Sequence, residues 1–204
     1  MYRVDRLCNL IEEGKKANAV DPFAITPSPD LQKLREEGGA AIDLRLGTWF
    51  TSLTQARLPY LPLDAPGNAS LSKSSYVAFG SSYFLHPQSF VLAVTLEWIR
   101  LPHSMTASVQ GKSSWGRHGL IIATATGVHP GFKGCLTLEL TNVGEIPIEM
   151  KPGVKICQLF VQALEIGTQA HAPASGFDGL RRPLLRSIKT DEYMRRLSGS
   201  AKKA

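Results

Sequence analysis

The sequence predicts a mainly β fold, a barrel or jelly roll with short helices at its N-terminus. From about residue 41 to 166, short apolar segments recur at roughly ten-residue spacing between turns rich in Gly, Pro, Asn and Ser. The clearest of them, residues 89–99, alternates two side-chain faces along its whole length. A chain of 204 residues, 43% hydrophobic and 20% charged, is long and apolar enough for one buried core.

The elements follow in chain order. Residues 2–16 are predicted to be helical because Val4, Leu7 and Ile11 share one face. A connection rich in proline follows over 21–29, and Asp30 is placed to cap a short helix through Glu37. Residues 53–82 are predicted to form a long loop or a weak hairpin. The predicted strands are Ile42–Leu46, residues 89–99, Leu120–Ala125, Cys135–Thr141 and Val154–Val161, with turns at residues 142–144 and 152–153.

Charge divides the chain further. Of the formal net charge of +6, all resides in the last 24 residues, which hold eight Lys or Arg and two acidic residues. We therefore predict an N-terminal helical segment (1–40) packed on a β domain (41–166), followed by a basic tail (167–204) that lies partly over the active site. Residues 197–204 are interpreted as a solvated tail, whereas 176–196 could fold over an anionic ligand such as a polyphosphate. Only Tyr193 interleaves with these charges, so no nucleic-acid partner is expected.

Cysteine use and hydropathy exclude several classes of protein. Cys8, Cys135 and Cys157 are odd in number, far apart and not arranged as Cys-x-x-Cys, which argues against a disulfide framework and a structural zinc site. No run approaches the ~18 apolar residues that would cross a bilayer, and the N-terminus does not resemble a secretory signal. A cytoplasmic protein without a membrane partner is expected.

One polar segment is unlike ordinary strand and turn sequence. Residues 111–119 combine three glycines, two hydroxyls and two cations, a composition that can present N–H groups and positive charge to phosphate oxygens. Gly111-Lys112-Ser113 resembles the end of a P-loop, but the first glycine of that motif would fall at position 106, which is Thr. A P-loop is excluded, and a plain polar turn remains the alternative.

Two further segments are candidates for chemistry. In residues 127–134 a tight turn holds Phe132 between glycines, either as a core side chain of a hairpin or as a wall against a deoxynucleotide sugar. In the strand that follows, Leu136, Leu138 and Leu140 point one way and Glu139 points the other. Glu139 would therefore face whatever the turn holds and could act as a general acid and base; a solvent-facing glutamate is the alternative.

Taken together, these segments resemble the dCTP deaminase branch of the dUTPase-like superfamily. The resemblance covers roughly residues 41–162, and it depends on the order and spacing of several motifs. They are Asp43–Gly47, Phe90–Ala93, Thr95–Trp98, Gly111–Arg117, Pro130–Gly134, Thr137–Leu140, Asn142–Gly144, Pro152-Gly153 and Gln158-Leu159.

The resemblance implies a distorted jelly-roll barrel, a homotrimer with active sites between subunits, and hydrolysis of dCTP to dUTP and ammonia, which feeds thymidylate synthesis. Its Lys/Arg-Ser-Ser-x-x-Arg motif maps onto residues 112–117, and its catalytic glutamate maps onto Glu139. Glu139 would move the water proton, while Ser113 and Arg117 orient the water and stabilise developing charge. The substrate-binding residues would be Lys112, Ser114, Trp115, Gly116, Val128, His129, Phe132, Thr137, Leu138 and Gln158.

Within that set, Lys112, Ser114 and Gln158 would bind the phosphates, together with Mg²⁺ carried on the triphosphate, and Phe132 would exclude a 2′-hydroxyl. Zinc is not expected, because none of the five histidines begins His-x-Glu and no Cys-x-x-Cys exists. His129 stands where the family usually has Asp, and residues 123–128 are one residue shorter than in common deaminases. A bifunctional enzyme that also releases dUMP and diphosphate, or a nucleotide-binding regulator without catalysis, are the alternatives.

Overall fold

The computed structural model describes residues 1–54, 71–124, 127–165 and 178–185. Within these ranges three helices and eleven strands follow one another along the chain. The helices are α1 (Val4–Gly14), α2 (Leu31–Glu37) and α3 (Ser113–Gly116). The strands are β1 (Ala24–Thr26), β2 (Ile42–Leu53), β3 (Ser72–Tyr76), β4 (Tyr83–Leu85), β5 (Phe90–Arg100), β6 (Met105–Gly111), β7 (Leu120–Ile122), β8 (Gly127–Val128), β9 (Lys133–Asn142), β10 (Ile148–Met150) and β11 (Lys155–Ala163).

Most strands join one curled sheet in the order β7-β9-β5-β2-β11-β6-β8, to which β1 adds on β5 and β3 adds on β2. The sheet curls so that its terminal strand β7 approaches β6, the strand next to the other end, where Gly111 of β6 meets Ile122 of β7. A Cβ at position 111 would lie 3.2 Å from the Ile122 side chain. The prediction of a mainly β fold of the barrel or jelly-roll kind with short N-terminal helices is confirmed, and the sheet curls into a half-barrel.

The predicted helices are confirmed, and α1 is shorter than expected because it begins at Val4 and ends at Gly14. Its apolar face is buried as predicted. Asp30 caps α2 as expected, since its Oδ1 accepts a hydrogen bond from the Lys33 N–H at 3.1 Å. The domain boundaries at 40 and 166 remain a prediction, although β1 shows that the first forty residues also contribute a strand. No helix in the described ranges is long and apolar enough to span a membrane.

Strand β9 has the alternation that its sequence predicts. Leu136, Leu138 and Leu140 are buried, while Thr137 and Glu139 are half-buried on the opposite face. Strand β5 differs because residues 91–95 are all buried, as expected for a central strand that pairs with β2 on one edge and β9 on the other. Leu92 of β5 pairs with Glu139 of β9, so the two strands form one continuous surface around Glu139 on the face opposite the core leucines.

Strand β2 is seven residues longer than predicted because it crosses between neighbours. Its first half pairs with β11 and its second half with β5 and β3. The crossing is tight at Gly47, where a Cβ would lie 2.9 Å from the Val94 carbonyl oxygen. Strand β3 lies in the predicted loop or weak hairpin of residues 53–82, of which residues 55–70 lie outside the described ranges.

A partly buried ion pair joins β2 and β5. Glu97 is only 3% exposed, and its carboxylate accepts hydrogen bonds from the backbone N–H of Arg45 (2.8 Å) and from its Nε (2.6 Å). Beside it, the Thr95 hydroxyl donates to the Glu97 carbonyl and accepts from the Leu136 N–H, where the register between β5 and β9 shifts. Side chains thus satisfy the backbone groups that the irregular pairing leaves without a ladder partner.

Candidate active site

A cavity of about 490 Å³ lies beside β9, and Glu139 is one of its walls. We call it the Glu139 cavity. Five of the predicted site residues line it, and the other walls are mostly apolar side chains of β5, β6 and residues 184–185. The predicted residues in this cavity are Val128, His129, Phe132, Thr137 and Glu139.

The backbone of Glu139 is fixed by the residues that follow β7. The N–H of Glu139 donates to the Thr124 hydroxyl at 3.1 Å, and its carbonyl oxygen accepts from the Ala123 N–H at 2.8 Å. Leucine neighbours on either side are anchored in the core, so the glutamate side chain is directed to the cavity face. A half-buried carboxylate in such a cavity can accept a proton from a bound ligand and return it.

The predicted turn at residues 129–132 forms one end of the cavity. The Phe132 N–H donates to the His129 carbonyl at 3.2 Å, and Gly131 adopts a φ of +76°, a conformation that favours glycine. Phe132 is half-buried, packs against the core and also borders the cavity, and its role as a wall against a sugar stays a prediction.

The predicted phosphate segment is the short helix α3 and the residue before it. Ser113, Ser114, Gly116 and Arg117 are exposed. Trp115 is half-buried, and its Nε1 donates to the Lys155 carbonyl at 2.8 Å, which fixes the helix to β11. This segment does not line the Glu139 cavity in a single chain; Ser114 and Trp115 instead border a separate cavity of about 480 Å³.

Lys112 and Gln158 meet at a carboxylate that sequence reasoning did not assign. Asp43 Oδ1 accepts from Lys112 Nζ at 2.7 Å and from Gln158 Nε2 at 3.1 Å, and its Oδ2 lies 3.0 Å from Lys155 Nζ. Asp43 belongs to the motif that begins β2, but nothing local in the sequence indicates that side chains 69 and 115 residues away would converge on it. We call these four residues the Asp43 cluster.

The contacts within the Asp43 cluster shift the pKa of its carboxylate. Although partial burial acts to raise the pKa of Asp43, the hydrogen bonds from Lys112, Lys155 and Gln158 and the charge of Lys112 outweigh it and lower that pKa below its ordinary value of 3.8. A carboxyl whose pKa is lower in the folded state contributes stability that is complete above its ordinary pKa and is lost as the pH falls through the lowered value.

We therefore expect the free energy of unfolding of Asp43→Asn to fall below that of the unmodified protein at neutral pH, with the difference shrinking as the pH drops from about 5 to about 3. Urea unfolding followed at several pH values measures this difference. The same substitution at the exposed Asp5 is the control. A difference between Asp43→Asn and the unmodified protein that stays constant across this range would contradict the prediction.

The described part of the tail, residues 178–185, packs against β2 and β9 and ends at the Glu139 cavity. The Cys135 N–H donates to the Leu180 carbonyl at 2.9 Å, and the Thr51 hydroxyl donates to the Pro183 carbonyl at 3.2 Å. The guanidinium of Arg182 lies 3.8 Å from the centre of the Trp49 ring. Leu184 and Leu185 then reach the cavity itself. Lys189, another cation of the basic tail, lies outside the described residues.

Leu138 is the one predicted substrate-binding residue whose side chain lies entirely in the core, where it is 0% exposed.

Metal-binding side chains are not grouped together: within the described ranges no three His, Cys, Asp or Glu side chains lie close enough to hold an ion. Burial raises the pKa of the Cys135 thiol to about 11 and that of Cys157 to about 12. Neither thiol is therefore ionised near neutral pH.

Comparison with known proteins points to one family. The dCTP deaminase-like family model matches residues 8–164. A dUMP-forming dCTP deaminase of Methanobrevibacter smithii is 36% identical over 156 residues, which cover 76% of this chain and 75% of that protein. A dCTP deaminase of Pseudoalteromonas atlantica is 34% identical over 172 residues, 78% of this chain and 81% of that protein. The crystal structure of 2′-deoxycytidine 5′-triphosphate deaminase from Agrobacterium tumefaciens superposes with a TM-score of 0.49 and 22% identity, over 61% of this chain and 40% of that one.

Proposed function

The chain belongs to the dCTP deaminase-like family, and we propose that it is the enzyme that hydrolyses dCTP to dUTP and ammonia. The observation that carries this proposal is the position of Glu139 in a cavity whose end is formed by Phe132 and His129. That arrangement offers one carboxylate for proton transfer and one aromatic wall for a sugar. The substrate is a nucleoside triphosphate, so we place the activity in the cytoplasm.

Glu139 would carry every proton transfer of the reaction. As the oxygen of water bonds to C4 of cytosine, Glu139 takes one water proton and passes it to N3. Glu139 then takes the remaining proton of the new C4 hydroxyl and delivers it to the amino group. The bond between C4 and the amino nitrogen breaks, ammonia leaves, and the C4 carbonyl of uracil remains.

Ser113 and Arg117 would complete this site from a neighbouring copy of the chain. Both are exposed and stand outside the Glu139 cavity of their own chain. A homotrimer that sets α3 of one subunit against β9 of the next would bring a hydroxyl and a guanidinium to the attacking water. There they would orient the water and stabilise the negative charge that develops during attack.

The triphosphate would lie along the Asp43 cluster and α3. Lys112 and Gln158 already face one carboxylate oxygen, and a phosphate oxygen offers the same kind of acceptor. Ser114, together with Trp115 and Gly116, continues this surface, and Mg²⁺ would arrive on the nucleotide. Phe132 would pack on the deoxyribose, with the backbone around Val128 and Thr137 holding the base and His129 near the 3′-hydroxyl.

A second candidate is a bifunctional enzyme that also releases diphosphate to give dUMP, because the relative from Methanobrevibacter smithii carries that name. Such chemistry needs a second water in line with the α-phosphorus. His129 replaces the acidic residue expected beside the sugar, which argues for deamination alone. A binding protein without turnover is the third candidate.

One assay separates the three. Purified full-length protein is incubated with dCTP and Mg²⁺, ammonia is measured, and nucleotides are resolved by ³¹P NMR. We expect ammonia and dUTP in equal amounts. Ammonia with dUMP and diphosphate would establish the bifunctional enzyme. Binding of dCTP without any product would overturn the enzymatic proposal in favour of a regulator.

A further inference from the structure

The turn at residues 129–132, which lines the Glu139 cavity, is contacted by a group of side chains that do not themselves line it. His103 lies against Gly131 of this turn, and Asp21 contacts both His103 and Arg100. None of the three lines the cavity. We call Asp21, His103 and Gly131 the His103 clasp.

Asp21 is built to orient His103. It is a non-glycine residue with a φ of +48°, a conformation that costs free energy unless the surroundings compensate for it. Its Oδ2 accepts from the His103 backbone N–H at 2.7 Å and lies 2.8 Å from His103 Nδ1. Arg100 Nη2 lies 3.7 Å from the other carboxylate oxygen.

The protonation of the pair follows from these contacts. Partial burial acts to raise the pKa of Asp21, but the two hydrogen bonds from His103 and the charge of Arg100 outweigh it and lower that pKa. An ionised carboxylate can only accept, so the proton of this contact lies on Nδ1 of His103. Nδ1 is thereby fixed toward Asp21, and Nε2 is turned toward the glycine of the turn.

The ring of His103 fits against the turn only because residue 131 is glycine. A Cβ at that position would lie 2.7 Å from His103 Nε2, closer than real Cβ contacts. The backbones are joined as well: the Gly131 N–H donates to the Pro102 carbonyl at 3.4 Å, and the Leu101 N–H donates to the Phe132 carbonyl at 2.9 Å. These contacts with segment 101–103 therefore fix the position of the turn, and with it the distance of the Phe132 ring from a ligand in the cavity.

We propose that His103, oriented by Asp21, is a positioning residue that holds Phe132 at the distance which admits a 2′-deoxyribose and rejects a ribose. This inference rests on the proposed function, because it assumes that Phe132 contacts the sugar. A ring displaced outward by a fraction of an ångström would leave room for a 2′-hydroxyl. Discrimination between sugars that differ by one hydroxyl depends on such close contact.

The test compares the binding of dCTP and CTP to full-length variants by calorimetry. We expect His103→Ala to reduce the preference for dCTP over CTP, measured as the ratio of the two affinities, by at least about fivefold. Asp21→Ala should reduce the same ratio. The double variant should be no less selective than His103→Ala, because Asp21 acts through His103. His86→Ala, at another exposed histidine, is the matched control and should keep the ratio of the unmodified protein.

The outcomes separate this inference from the function on which it rests. If the unmodified protein binds neither nucleotide, both are overturned. If it binds dCTP in preference to CTP and His103→Ala, folded by its thermal melt, keeps the same ratio, only the inference is overturned. An equal loss of selectivity in His86→Ala would overturn it as well, since the effect would not be specific to the clasp.

Discussion

Replacing Glu139 with glutamine should lower kcat for ammonia release from dCTP by at least about a thousandfold. The amide keeps the size and the hydrogen-bonding capacity of the side chain, but it cannot take the proton that water must lose as it attacks C4. The side chain sits on the cavity face of β9 and its leucine neighbours carry the packing. The melting temperature and the oligomeric state should therefore stay those of the unmodified protein. Ammonia release at saturating dCTP measures the loss.

The matched control is Glu149→Gln, which changes an exposed carboxylate on β10 that is bonded to Ser82 and Lys151. It should retain normal turnover. Binding of dCTP by Glu139→Gln, measured separately, should change by far less than kcat, because the lost interaction is one of proton transfer. Turnover by Glu139→Gln at the rate of the unmodified protein would remove this residue from the mechanism.

Replacing Asn142 with alanine should destabilise the protein by roughly 2–4 kcal/mol. Asn142 is 0% exposed, and its Nδ2 donates to two carbonyls, those of Leu85 (2.9 Å) and Ile146 (2.8 Å). Its Oδ1 accepts from the Gly144 N–H at 2.8 Å. Alanine leaves all three backbone groups without this partner, and each unsatisfied buried group costs about 1–3 kcal/mol before relaxation.

Urea unfolding at one fixed protein concentration measures this loss, since any subunit association makes apparent stability depend on concentration. Asn9→Ala, which removes an exposed amide whose oxygen accepts from Arg35, should change the free energy of unfolding by about 0.5 kcal/mol or less. Equal effects of the two substitutions would show that the contacts of Asn142 contribute little.

The sequence pattern was informative where local rules decide the structure. The face of Glu139 followed from the alternation of leucines in β9, and the start of α2 followed from Asp30 as a cap. Strand β6 was not predicted, although Met105, Ala107 and Val109 alternate in the same way, because the intervening residues are small and polar. The signal was present there but weaker.

What the sequence could not supply are contacts between residues far apart in the chain. Asp43 receives Lys112 and Gln158 from positions 69 and 115 residues away, and His103 meets Asp21 across 82 residues. No local rule pairs such residues, because their proximity depends on which strands become neighbours. Likewise, the pattern of residues 112–117 indicated phosphate chemistry without revealing that α3 stands apart from Glu139 within one chain.

The order of strands in the sheet has a consequence for how the polypeptide matures. Strand β11 lies between β2 and β6, yet it is the last strand of the described chain. While the ribosome is still adding residues before about 155, β2 and β6 have no common neighbour and each exposes an open edge. We therefore expect this sheet to form in full only after β11 has been synthesised, and nascent chains that stop short of β11 to require protection by chaperones.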